Sequence, residues 1–216
     1  MDKYNFDSAP YSTHTLLLEQ ISENSMVLEL GSAGGYLGSY LKEKKNCRVW
    51  GIEPDAYSDN HYIDYENIFK GTVEDFCKGE SFRGEQFDFI LIGDVLEHLV
   101  SPEAVLSQLK LFLKADGKMV ISLPNIAFYE MRLNLLLGKW EMTEKGILDR
   151  THLHFYTKNS AVKMLEDCNF ALELVRPANG NFERFGINKL FGIGQKILFL
   201  MPTIFSEQFI YVAKIK

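Results

Sequence analysis

Between Val27 and Gly35 an apolar run that carries an acid, Val27-Leu28-Glu29-Leu30, passes straight into Gly31-Ser32-Ala33-Gly34-Gly35. A strand that enters a glycine-rich turn gathers backbone N–H groups at one point, where they face a bound ligand, and the Glu29 carboxylate adds a negative group beside them. The spacing excludes two common cradles. A Walker-type phosphate loop needs a Lys-Ser/Thr pair after its glycines, and a dinucleotide fingerprint needs a third glycine opening the helix. Here Tyr36-Leu37 open the helix and Ala33 stands at the second dinucleotide glycine. An acid two residues before Gly31, with the Gly34-Gly35 pair, suits a cationic nucleoside that carries an amino acid.

The rest of the chain alternates strands and helices. Leu16, Leu17, Leu18 and Ile21 have helical spacing ahead of a first strand, Met26 to Leu30. The helix after Gly35 is followed by a second strand, Arg48 to Glu53, ending on an acid before Pro54. A third strand, Asn67 to Lys70, leads into Gly71-Thr72-Val73-Glu74-Asp75, and a fourth, Phe87 to Ile92, into Gly93-Asp94-Val95-Leu96-Glu97-His98. Ser101-Pro102-Glu103 predicts an N-cap, a first-turn proline and a helix to about Leu113. Asp116-Gly117 predicts a turn into a fifth strand, Lys118 to Leu123. A lid insertion is expected at about 124–156, helical from Ala127 to Leu137 and then an ordered loop. Thr157 caps a helix through Leu165, and strands follow at Phe170 to Val175 and Gln208 to Ala213.

At 216 residues this pattern predicts one α/β domain, 1–216, with its site along the carboxyl edge of an open, mostly parallel sheet. A net charge of −6 gives no general attraction to nucleic acid, so none is expected as a partner. Three widely spaced cysteines, an N-terminus without a signal-peptide core and the lack of an 18-residue apolar run point to a cytoplasmic protein. The apolar tail, 185–205, offers a packing, membrane-surface or dimer face, with packing expected.

Taken together, Glu29 with Gly31, Gly34 and Gly35, then Glu53, then Gly71 to Asp75, then Asp94, Glu97 and His98 resemble the class I S-adenosylmethionine-dependent methyltransferases along the whole chain. The resemblance implies a Rossmann-like, seven-stranded, mostly parallel sheet with helices on both faces and an antiparallel last strand. The later run Leu123-Pro124-Asn125, Arg132 to Trp140 and Gly146 to Thr157 resembles a bacterial subfamily of small methyltransferases associated with surface-polysaccharide and glycan biosynthesis. It implies a small polar acceptor, a sugar hydroxyl of a glycan precursor among them.

For the cofactor the resemblance places Glu29, Gly31, Ser32, Ala33, Gly34 and Gly35 at the methionine part and Glu53, beside Pro54, on the ribose hydroxyls. Thr72 and Val73 fall at the adenine, with Glu74 or Asp75 in place of the acid many relatives carry at position 72, and Asp94 lines the pocket. Ala33 replaces a frequent glycine, which calls for a negative φ there. Methyl transfer to oxygen or nitrogen can also need a base, and His98, His152 and His154 are the candidates. His98 has the competing role of packing the next helix, and His152 and His154 of structural hydrogen bonding. Asp149 and Arg150 either position the acceptor or close the lid as an internal ion pair. Trp140, Tyr129 and Tyr156 are either an aromatic wall or core. No metal site is expected: with Asp149 the pair His152 and His154 could bind one in principle, but two histidines have no third firm ligand. A non-catalytic binding module of the same fold is the competing reading. A nicotinamide-dependent oxidoreductase fails on the glycine spacing.

Overall fold

Apolar residues on both faces of β1 (Met26–Leu30) and β4 (Phe87–Gly93) require helices above and below the sheet, and a computed structural model shows that arrangement. It describes residues 7–54, 62–82, 84–178 and 200–216. The tail residues Leu190, Phe191, Ile197, Leu198 and Phe199 lie outside them.

With β2 (Arg48–Glu53), β3 (Asn67–Lys70), β5 (Leu113–Pro124), β6 (Phe170–Ala178) and β7 (Gln208–Ile215), the strands form one seven-stranded sheet ordered β3-β2-β1-β4-β5-β7-β6. Strands β1 to β5 pair in parallel, and β7 runs antiparallel to both β5 and β6. The order reverses between β1 and β4, so the carboxyl ends of these two strands diverge into a crevice.

Alternation along β1 sorts the core. Leu28 and Leu30 face the side covered by α3 (Val73–Lys78), α4 (Pro102–Leu109) and α6 (Lys158–Asp167). Val27 faces the side covered by α1 (Thr13–Glu19) and α2 (Tyr36–Lys45), and Glu29 shares that parity. Ser12 caps α1 by accepting the Thr15 N–H, which starts the helix three residues ahead of the apolar repeat. Thr157 caps α6 in a reciprocal capping box with Ser160.

Two local expectations change, at Ser101 and at Asp116-Gly117. Ser101 occupies the N-cap of α4 but its hydroxyl makes no capping bond, and the α-helix gives way to a 3-10 turn over Lys110–Phe112. Asp116-Gly117 lies inside β5, at an irregularity in its pairing with β4, because Gly117 passes so close to the Phe87 carbonyl that a Cβ would sit 2.8 Å from it. The lid helix α5 (Tyr129–Leu136) buries no residue, and Leu133, Leu135 and Leu136 are exposed. Among the described residues no helix is long and apolar enough to cross a membrane.

Tyr65 packs across α2 and β2 where Gly38 and Gly51 leave room. A Cβ on Gly38 would fall 2.1 Å from the Tyr65 ring, and one on Gly51 would fall 2.9 Å from it. Gly38→Ala therefore forces the ring out of its groove at about 1–3 kcal/mol. The melting temperature in a thermal scan is expected to fall by about 3–10 °C; an unchanged value would show that the groove is not tight.

Candidate functional site

At the crevice lies a cavity of about 710 Å³, within the size range of small-molecule and cofactor sites. Its wall takes residues from the ends of β1, β2, β4 and β5, from α1 and from the lid.

The β1 end is a strained turn fastened to its neighbours. Gly31 has φ +68° and a Cβ there would meet Val95 at 2.7 Å, so only glycine fits. Ala33 has φ +42°, against the negative value expected of it. Such a conformation costs an alanine about 1–2 kcal/mol. Two hydrogen bonds hold it: Ala33 N–H donates to Glu53 Oε2 at 2.7 Å, and Tyr62 Oη donates to the Ala33 carbonyl at 2.6 Å. Of the expected cofactor residues, Glu29, Gly31, Ala33, Glu53, Pro54, Thr72, Val73, Glu74 and Asp94 line the cavity. Ser32, Gly34 and Gly35 do not. Ser32 is buried and its hydroxyl turns back to the Glu29 carbonyl at 3.4 Å, whereas Gly35, at φ +75°, caps α2.

Glu29 departs from its expected part. It is 3% exposed and accepts a hydrogen bond from Tyr65 Oη at 2.5 Å. Burial pushes its pKa from 4.5 up to about 8, the Tyr65 bond opposing and the Glu53 charge adding to the rise. At neutral pH the group is largely protonated and brings little negative charge to the cavity. Thr72 is also committed: its hydroxyl caps α3, accepting from Asp75 N–H and donating to Asp75 Oδ2. That bond occupies Asp75 too, so of the two acids after Thr72 only Glu74 reaches the cavity wall.

Asp94 supplies the negative charge at the β4 end. It sits at φ +52° while its carboxylate accepts from Ser122 Oγ at 2.6 Å and from Gln208 Nε2 at 2.7 Å. The sequence reading missed these two supports, since Ser122 and Gln208 lie on neighbouring strands and carry no local motif. It also missed His14 and Thr13, which α1 brings to the wall. Burial lowers the His14 pKa, with Asp94 and Asp7 opposing.

The far end of the cavity is built from the 3-10 turn Leu96–His98 and the lid. His98 and His152 meet edge to face at 4.7 Å between ring centres. His98 Nδ1 lies 3.2 Å from the Thr151 carbonyl and His152 Nδ1 lies 3.0 Å from the Ile147 carbonyl. A carbonyl only accepts, so each Nδ1 carries a proton, and it is Nε2 that holds the lone pair in the neutral form of either ring. Burial, chiefly, lowers the His152 pKa and favours that neutral form. Glu97, which precedes His98 in sequence, is 1% exposed, and neither carboxylate oxygen has a hydrogen-bond partner among the described residues. Burial, with Asp94 and Asp149 adding, holds its pKa well above the usual range. The ligand atoms of Glu97, His98 and His152 lie within 4.8 Å of one another, a different trio from the lid residues weighed for a metal in the sequence.

The remaining lid candidates fall elsewhere. His154 lines not the main cavity but a small pocket beside it, which shares His152, Ile147 and Pro124 with the main one. Asp149 reaches the cavity wall, but its Oδ1 takes the Thr151 N–H and hydroxyl. Arg150 points to solvent and pairs with Glu144 at 2.9 Å, so no internal Asp149–Arg150 ion pair closes the lid. Trp140 packs on Phe155, and Trp140, Tyr129 and Tyr156 form no aromatic wall in the main cavity.

Residues 1–175 match the family described as methyltransferase domain. The chain belongs to that family. Its donor is S-adenosylmethionine. The domain is 34% identical over 110 residues to the ubiquinone biosynthesis O-methyltransferase of Glaesserella parasuis serovar 5, covering 46% of this chain and 45% of that protein. The chain spans about half the length of the curated relatives it matches. Its fold is that of a SAM-dependent methyltransferase from Archaeoglobus fulgidus, with a TM-score of 0.60, 16% identity and 94% of each chain covered. It is likewise that of Burkholderia thailandensis 1,6-didemethyltoxoflavin-N1-methyltransferase with bound 1,6-didemethyltoxoflavin and S-adenosylhomocysteine. There the TM-score is 0.61 and the identity 13%, with 94% of this chain and 76% of that one covered. The curated relatives carry an O-methyltransferase name and not that of a glycan-biosynthesis enzyme.

The raised Glu29 pKa has a stability consequence. From about pH 4.5 the unfolded chain gives up this proton while the folded chain keeps it up to about pH 8. Stability therefore declines across that window and levels off above it. In chemical denaturation the wild type is expected to lose ground against Glu29→Gln between pH 5 and pH 8; parallel profiles would contradict the buried, protonated carboxyl.

Proposed function

We propose that this methyltransferase domain moves a methyl group from S-adenosylmethionine to a hydroxyl of a small polar acceptor, with the donor over the β1 turn and Glu53 and the acceptor at His98 and His152. The observation that carries the reading is the polarity of one continuous cavity: a strand-end carboxylate beside a glycine turn at one end, and two Nε2 lone pairs at the other. The donor-side residues suit that ligand. Glu53 stands at a strand end where a carboxylate accepts from vicinal hydroxyls, and Gly31 leaves room that any Cβ would fill. When bound, S-adenosylmethionine supplies a sulfonium methyl, which an acceptor oxygen takes in line while sulfur keeps the bonding pair.

The chain's own residues position and deprotonate. Asp94, fixed by Ser122 and Gln208, places a negative charge between the two ends, where it favours a cationic sulfonium. His98 and His152 meet the acceptor hydroxyl and remove its proton. An oxygen acceptor agrees with the name of the curated relatives. The sugar hydroxyl of a glycan precursor is one such group, and a phenolic hydroxyl is the other that the relatives' name suggests.

The test is incorporation of label from methyl-labelled S-adenosylmethionine into two acceptor panels, nucleotide sugars with glycan fragments and hydroxylated phenols. Label is expected in a methyl ether with one panel, and His98→Ala should lower kcat at least tenfold with S-adenosylhomocysteine affinity unchanged. Binding of the donor with no transfer to either panel, and no response to His98→Ala, would favour the non-catalytic binding module.

A further inference from the structure

We propose that Glu97, His98 and His152 hold one divalent transition-metal ion at the acceptor end of the cavity. The inference deepens the methyl-transfer reading and rests on it for what the ion does, though not for whether the ion binds.

Three observations converge. First, Glu97 is buried to 1% exposure with both carboxylate oxygens lacking any hydrogen-bond partner, a costly arrangement for a group with four acceptor sites. Most groups of this kind in a folded protein are satisfied, so an orphaned pair beside a ligand cavity points to something that binds there. Second, each imidazole donates its Nδ1 proton to a fixed backbone carbonyl, Thr151 for His98 and Ile147 for His152. That is the outer-shell arrangement which orients a metal-ligating histidine and leaves Nε2 as the ligand. Third, the facing atoms are already gathered. His152 Nε2 is 4.0 Å from Glu97 Oε1, too far for a hydrogen bond, and the ligand atoms of all three residues lie within 4.8 Å of one another. Metal–ligand bonds of about 2.0–2.2 Å bring such atoms to about 3–4 Å from one another. A small turn of the half-buried His98 ring closes that difference.

The donor set selects the ion. Two imidazoles with one carboxylate suit zinc, cobalt, nickel or iron(II), whereas magnesium and calcium prefer oxygen alone. Three protein ligands leave positions open, and His98, His152 and Glu97 all line the main cavity, so those positions face the acceptor. A hydroxyl bound there is acidified by the cation and loses its proton to solvent near neutral pH. With the ion bound, the Nε2 lone pairs of His98 and His152 are committed to it, so the imidazoles act on the acceptor as ligands of the ion, and the ion replaces them as the group that brings about loss of the proton. Glu97, conspicuous in the sequence only as part of a strand-end motif, becomes the ligand that makes the site possible.

Cobalt(II) is the direct probe, because its visible d–d bands report imidazole ligation without any need for activity. Titrating the metal-free chain with cobalt is expected to develop these bands to one equivalent, with zinc displacing them and magnesium in large excess leaving them unchanged. His98→Asn, a half-buried position tolerant of change, should weaken cobalt binding at least tenfold, and Glu97→Gln should do the same. S-adenosylhomocysteine titration of the same samples shows that each variant is folded and tests the donor site separately. Absence of the bands in wild-type chain that binds S-adenosylhomocysteine, bands indifferent to both substitutions, or displacement by magnesium would overturn the proposal. Cobalt binding without S-adenosylhomocysteine binding would leave the metal site standing and sink the methyl-transfer reading.

Discussion

The Glu53 carboxylate accepting the Ala33 N–H at 2.7 Å is the bond on which the β1–β2 end of the cavity depends. It joins the end of β2 to the turn after β1 and holds an alanine in the left-handed region, which an unsupported backbone would leave. Tyr62 secures the other side of the same residue through its carbonyl. With the turn held so, Gly31 can lie against Val95 and the cavity stays open between β1 and β4. A charge-assisted bond from a buried carboxylate is worth about 1.5–3 kcal/mol, enough to offset the strain at Ala33.

Beneath the turn a second acid does a different job. Glu29 and Tyr65 form a buried pair in a space that Gly38 and Gly51 leave free, and the carboxyl is kept protonated by burial. Two acids at two strand ends therefore behave oppositely: Glu29 is a structural hydrogen-bonding group, whereas Glu53 fastens the turn and stands at the cavity wall. The difference comes from environment, since both residues occupy similar places on adjacent parallel strands.

Much of the fold was legible because it is local. The bounds of β1, β2 and β3 follow from apolar runs closed by glycine or an acid, and Thr157 announced its helix through its own capping chemistry. The partners of Asp94 were not legible, because Ser122 and Gln208 come from strands paired only in the folded sheet. Neither was Ala33, whose φ is set by two long-range hydrogen bonds against its own preference. Thr72 lines the cavity as expected of a ligand contact, and it also caps α3 with Asp75 three residues later, a local capping signal that the motif around it overshadowed. In the lid the segment turns at Asp149–His152, where the His152 N–H donates to the Asp149 carbonyl; both histidines line the small pocket there, and His152 also reaches the main cavity.

In the proposed methyl transfer the Glu53 carboxylate shapes the donor site. Calorimetric titration of wild type and Glu53→Ala with S-adenosylhomocysteine tests it directly. One equivalent should bind the wild type, and Glu53→Ala should bind at least tenfold more weakly, a loss of about 1.4 kcal/mol or more. Equal affinity in the two chains, or no binding by the wild type, would contradict it.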